Sequence, residues 1–466
     1  MSQQFFSISV RFIALCTIVW SQLPPAAQAA PLQSSGSNFE TVIDLPASSE
    51  FTGSIGSNTQ LNVGIGGNTG PLFQAGSLRG SNENLEVNLR GGVIDVFSSF
   101  HETTLNINGG LVGLGSTATD SRVNLSSGFI SSAFSARDGS QLNVTGGAVG
   151  QALSLENDSQ LNISGGTIGD SLRVSEGAVH VSGATIGPDF EATSSFVDIG
   201  RDGTVANDFV AVDSVVDVGW LGSIGNSSEF IGSTLNVALG EVGRFGRAEQ
   251  GSTVNVEFGT LGDVFSVDES TINFLNGYIG QLGLRSESVA NISGGILERL
   301  YTSSSTANIS GGKLNGLGTV VDNSEIQLTV LEAFLDGEEL DLQSGLSLII
   351  TERDTTLSGL LADGSAFSFD LFDIDLFDED ELAAISDGFV IQSGSSFSVV
   401  RAAVSQITGT AILGDCNQDG EVTFADIPAF IEILTAETFF EEADCNQDGE
   451  VNFADIAPFS EILMRS

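Results

Sequence analysis

Gln141–Gly150 reads QLNVTGGAVG, and nineteen residues further on Gln160–Gly169 reads QLNISGGTIG. In both, a polar residue sits between two apolar ones and a glycine pair follows. Apolar-polar-apolar alternation is the period-2 pattern of a strand with one buried face, and glycine after it permits a sharp corner at positive φ. The triplet recurs as VNL at Asn88, LNI at Asn106, VNL at Asn124, VHV at His180, VDI at Asp198 and VDV at Asp217. It continues as LNV at Asn236, VNV at Asn255, INF at Asn273, and ANI at Asn291 and Asn308, at intervals of 17 to 19 residues. LNV at Asn62 and IQL at Gln327 read as worn end copies.

A second apolar patch (Val149, Ile168, Ile186) and a third (Leu153 and Leu155, Leu172 and Val174) follow each triplet, so one repeat carries about three short strands and three corners. No single repeat can bury its own apolar face, and stacking is the remaining solution. The expected fold is mainly β, a parallel β-solenoid (β-helix) of about 13 coils counted from the triplets. A helical repeat is excluded, because the runs are β-branched, glycine-rich and without a 3.6 period. Beyond the last triplet, Asp336-Gly337 and Asp363-Gly364 lie between alternating stretches such as AFSFDL, which are hairpin signals. A β cap that covers the open solenoid end is expected there. The acidic run DLFDIDLFDEDE (Asp370 to Glu381) reads as a solvated face that discourages edge pairing, with weak Ca²⁺ binding as the other reading.

At the N-terminus, Arg11 precedes the apolar run FIALCTIVW (Phe12 to Trp20), followed by Ala27-Gln28-Ala29. This is the layout of a secretory leader cut after Ala29, and the run is too short to span a bilayer. The organisation expected is a signal peptide over 1–29, a lead-in over 30–60, solenoid repeats over 61–330, a β cap over 331–410 and a terminal module over 413–466. No later stretch has the length of a membrane span, so the mature chain is expected to be secreted, at the cell surface or extracellular. Sixty acidic against 15 basic residues give a net charge of −45, which excludes nucleic acid as a partner, since phosphate binding needs clustered Lys and Arg. Cys416 and Cys445 occupy equivalent places in two terminal repeats. In an oxidising compartment that symmetry favours a disulfide over two half-buried thiols.

Secreted β-helices include enzymes that cleave polysaccharides, so a catalytic body is the competing expectation. A lyase needs a basic cluster beside carboxylates, whereas Arg122, Arg137, Arg173, Arg201, Arg244, Arg247, Arg285 and Arg299 are spread singly. The triplet column becomes His180, Asp198 and Asp217 on three consecutive coils. In-register stacking would bring Asp198 and Asp217 to about 5 Å, a spacing that suits a retaining glycosidase. They are the catalytic candidates, set against the plainer reading of polar side chains on a wet face. His101 has no metal-ligand partner at useful spacing.

The chain ends on two near copies, Gly414–Leu434 and Ala443–Leu463, alike at 16 of 21 positions. Each spells D-x-N-x-D-G-x5-D, which places oxygen donors at positions 1, 3, 5 and 12 of a twelve-residue loop with glycine at the bend. Ca²⁺ takes six to eight oxygens in such a loop. The first copy offers Asp415, Asn417, Asp419, the Glu421 carbonyl, Thr423 and Asp426. The second offers Asp444, Asn446, Asp448, the Glu450 carbonyl, Asn452 and Asp455. Two Ca²⁺ ions are expected, in a small α-helical, EF-hand-like module.

This tandem spacing, the short helix after each loop and Asp at position 12 resemble a type I dockerin. The resemblance implies docking to a cohesin-like domain. It also implies that loop positions 10 and 11 and an early helix residue face that partner, here Phe424, Ala425 and Glu432 in one copy and Phe453, Ala454 and Glu461 in the other. A hydroxyl pair and a basic residue are usual at those places. The function expected is a secreted, non-catalytic display of an elongated solenoid, with extracellular polysaccharide as a further partner. The alternative is a dockerin-borne polysaccharide lyase or glycoside hydrolase with the solenoid as catalytic body.

Overall fold

The computed structural model describes residues 39–77, 81–343, 346–373 and 388–402. Within the terminal segment it describes 413–414, 416, 422–423, 426–436, 443, 445–446 and 451–463. The expected secretory leader over 1–29, which includes Cys16, and the acidic run beyond Asp373 lie outside the described residues.

Residues 41–391 form a parallel β-solenoid of about 18 turns. One coil consists of the strands Gln141–Val144, Ala148–Val149 and Ser154–Glu156. Each pairs in parallel with its copy in the next coil, so that Leu142 stands opposite Leu161, Asn143 opposite Asn162, Val149 opposite Ile168 and Leu155 opposite Val174. The alternation decides what lies inside: Leu142, Val144 and Leu155 are fully buried, while Asn143 between them is half-buried on the outer face. The corner is glycine for a steric reason. Gly147 turns at φ +81°, and a Cβ there would lie 2.6 Å from the Gly128 carbonyl oxygen of the coil before. Aromatic rings fill the interior where a coil supplies them. Phe190, Phe209 and Phe230 stack through three coils with centroids 4.8 and 6.0 Å apart, separations that favour tilted and edge-on rings.

The solenoid exceeds the 13 coils counted from the triplets at both ends, for two reasons. Its first strand, Thr41–Leu45, pairs with Thr59–Val63, which pairs with Leu85–Leu89. The first of these has Asp44 in the asparagine column, and the step from Asn62 to Asn88 is 26 residues, outside the regular interval. At the other end the coil is completed out of sequence. Glu325–Leu335 stacks on Thr306–Leu314, and the chain then leaves and returns as Gly388–Ile391 and Ser396–Arg401, parallel to Leu317–Val321 and Glu325–Leu335. Between them, Thr355–Leu361 and Ala366–Asp373 form an antiparallel hairpin that pairs with Glu325–Leu335. Gly337 and Gly364 turn at φ +84° and +86° beside Asp336 and Asp363, the geometry for which Asp-Gly pairs are suited.

Candidate functional site

In the terminal segment two helices, α1 (Asp426–Ala436) and α2 (Ile456–Leu463), pack on one another. The contact is symmetric. Phe430 and Phe459, equivalent in the two copies, stack face to face with centroids 4.0 Å apart and planes 8° from parallel. Cys416, Ala443 and Cys445 are buried in the same cluster, with Val451 and Ile462 packed against it. The disulfide between the two cysteines stays an expectation from sequence symmetry.

A fully buried carboxylate opens α1, Asp426, and another, Asp455, immediately precedes α2. The Thr423 backbone N–H donates to Asp426 Oδ2 at 2.7 Å, and the Asp426 N–H returns to the Thr423 carbonyl at 3.1 Å. In the second copy Asn452 caps a single 3₁₀ turn, Phe453–Asp455. Its Oδ1 accepts from the Ala454 N–H at 2.8 Å, while its own N–H donates to Asp455 Oδ2 at 2.9 Å. Asp455 Oδ1 accepts from the Asn446 N–H at 3.0 Å. One carboxylate thereby ties loop position 3 to position 9 and draws the loop closed. A carboxylate removed from water must be compensated by hydrogen bonds and by opposite charge. Backbone amides supply the first, and a hard cation held by acidic loop oxygens suits the second.

Of the expected ligands, Thr423, Asp426, Asn446, Asn452 and Asp455 are described. Asp415, Asn417, Asp419, Glu421, Asp444, Asp448 and Glu450 lie outside the described residues, as do Phe424 and Ala425 of the expected partner face. For Glu432, Phe453 and Glu461 only the backbone is described; Ala454 is exposed.

On the solenoid, the asparagine column is a hydrogen-bonded ladder. Asn88, Asn106, Asn124, Asn143 and Asn162 each donate Nδ2–H to Oδ1 of the preceding member over 2.8 to 3.0 Å. Asn62 donates to Asp44 at 2.8 Å. A second run starts at Asp217, which accepts from Asn236 at 2.7 Å, and continues through Asn255, Asn273, Asn291 and Asn308. Carboxylates only accept, so Asp can stand only where a run begins. His180 and Asp198 form the seam between the runs: the imidazole Nδ1 lies 3.3 Å from Asp198 Oδ2. Asp198 and Asp217 are in register. Asp198 sits on the open outer face with its side chain 45% exposed.

A second column escaped the sequence reading. Ser214, Ser233, Ser252 and Ser270 are buried at a corner, and each hydroxyl accepts the backbone N–H of the serine one coil earlier, as Ser214 N–H to Ser233 Oγ at 3.0 Å. The signal was present: a serine stands three residues before almost every polar triplet centre. It looks like turn composition until the stacking is known.

No described helix is long and apolar enough to cross a membrane. No curated protein matches the chain. The family model described as the dockerin type I domain matches residues 413–460, and the chain thus carries a type I dockerin at its C-terminus, behind a parallel β-solenoid.

Proposed function

We propose that this is a secreted, non-catalytic protein that displays its solenoid surface and is attached through the dockerin, loaded with two Ca²⁺ ions, to a cohesin-like domain. Type I dockerin domains bind calcium, and a dockerin implies cohesin-dependent assembly. The observation that supports the two-ion reading most strongly is the pair of fully buried carboxylates, Asp426 and Asp455, each at the last position of its loop. The remaining ligands are those read from the spacing, Asp415, Asn417, Asp419 and the Glu421 carbonyl, with Asp444, Asp448 and the Glu450 carbonyl in the second loop.

A catalytic solenoid finds less support. Arg137, Arg173 and Arg244 pair with Glu156, Glu191 and Asp263 of neighbouring coils, a structural use of the charges that a lyase would cluster. Asp198 is partnered by His180, and Asp217 accepts from Asn236. The solenoid's role on this reading is display, with extracellular polysaccharide as its ligand.

The test is capture of the full chain on an immobilised type I cohesin, with Ca²⁺ and with EDTA. Binding is expected with calcium alone. Because the two repeats are nearly interchangeable, Phe424→Asp should weaken binding only about twofold, roughly 0.4 kcal/mol, by removing one of two equivalent orientations. Adding Phe453→Asp should reduce it far more. Capture that persists in EDTA would contradict the calcium-dependent reading, and abolition by Phe424→Asp alone the two-orientation reading.

A further inference from the structure

Five apolar residues stand on successive coils at one corner of the solenoid. Trp220 is 60% exposed, Leu221 53%, Leu239 48% and Leu275 46%, with Phe258 half-buried among them. Backbone bonds place them on successive coils: Leu221 N–H to the Leu239 carbonyl, Leu239 N–H to that of Glu257, and Phe258 N–H to that of Asn276. Leu221, Leu239 and Phe258 all turn in the left-handed region, at φ 58°, 62° and 55°. Bulky apolar residues are outliers there, and earlier corners of this face use glycine or aspartate, as at Gly147, Gly166 and Asp202. Folding alone would select against these residues twice, for conformation and for exposure. Strain retained at a surface points to use of that surface.

Beside this rim runs a shallow groove of about 440 Å³ along the amide ladder of Asn236, Asn255, Asn273 and Asn291. Each ladder amide spends one N–H and one lone pair on its neighbours, which leaves one of each for a ligand. Glu257 is the one charged residue of the groove lining, on a chain of net charge −45. A basic peptide finds little there to pair with. A neutral polyol with apolar faces fits both halves: hydroxyls to the amides, C–H faces to Trp220, Leu239 and Phe258. The ladder repeats once per coil, about 4.8 Å, comparable with the rise of one sugar unit in an extended β-linked chain.

We infer that the face from Trp220 to Asn291 binds a neutral, extended β-linked glycan lengthwise along the solenoid. The inference deepens the carbohydrate-directed part of the proposed function and is independent of the docking module. The experiment is calorimetric titration of the full chain with cellohexaose, with maltohexaose as a shape control and polygalacturonate as a charge control, repeated in EDTA. Trp220→Ser/Phe258→Gly is the variant to compare. Glycine relieves the left-handed backbone at 258, so the fold is preserved, and thermal unfolding checks this.

Cellohexaose should bind with or without calcium, more tightly than maltohexaose, and the variant should lose about tenfold or more in affinity. Polygalacturonate should not bind. Absence of cellohexaose binding, or binding the variant leaves unchanged, would overturn the inference. So would a rim that proves to be a contact between copies, seen as concentration-dependent sedimentation abolished by the variant without any glycan effect. Loss of calcium-dependent cohesin capture alone would instead count against the docking proposal.

Discussion

His101 is 7% exposed, and its Nδ1 meets no hydrogen-bond partner. Burial holds the imidazole below its ordinary value of 6.5, against the upward pull of Glu102. The folded state therefore resists protonation and the unfolded state does not. Above pH 6.5 both states are neutral at this residue and it adds no pH dependence; as pH falls below 6.5 the unfolded chain takes up the proton first, and stability declines until the folded pKa is reached. The next coil places Thr119 opposite His101, so His101→Thr should fold and should lose this component. Melting temperatures from pH 7.5 to 5.5 should fall more steeply for wild type than for the variant. Parallel curves would show that His101 does not titrate with unfolding. The seam supplies a second residue-scale prediction. Asn143→Asp loses the donor to Asn124 and sets two oxygens face to face, which should cost about 0.5–1.5 kcal/mol. Asp217→Asn keeps an acceptor for Asn236 and removes a carboxylate opposite Asp198, so thermal unfolding should show it neutral or stabilised. Equal losses from both would contradict a directional ladder.

At the scale of the strand and corner, the buried serine column accounts for amides that a tight corner cannot pair within its own coil. Ser233→Ala would leave the Ser214 N–H buried without its acceptor, a loss of about 1–3 kcal/mol, measured by chemical denaturation. Ser→Ala at an exposed position such as Ser460 is the comparison. These elements also show where sequence is readable. Leu142 and Val144 faced inward because a period-2 pattern admits only one buried face, and that much was legible from ten residues. The serine column was not, because its partners lie 18 or 19 residues away and their meeting is a product of stacking. In the terminal segment the loop spacing declared Asp426 and Asp455. Phe430 and Phe459 went unremarked, although identical residues at equivalent places in a tandem repeat are candidates for a contact across the pseudo-two-fold.

For the whole molecule, the proposed display role rests on an acidic chain whose solenoid carries neutral amide ladders on one face and whose C-terminal residues match the dockerin family. Extra coils lengthen the surface without altering the end that attaches, because each coil contacts only its neighbours. The strands Gly388–Ile391 and Ser396–Arg401 return to finish the solenoid before the chain enters the segment that matches the dockerin family. The proposed attachment depends on that segment being closed by calcium. The most direct measurement is the Ca²⁺ stoichiometry of the full chain by calorimetry, against Asp419→Ala/Asp448→Ala and each single variant. The acidic solenoid contributes weak sites to all four proteins alike, so the difference carries the information. Wild type should take up two more tight ions than the double variant and one more than either single variant. Identical titrations for wild type and the double variant would contradict it.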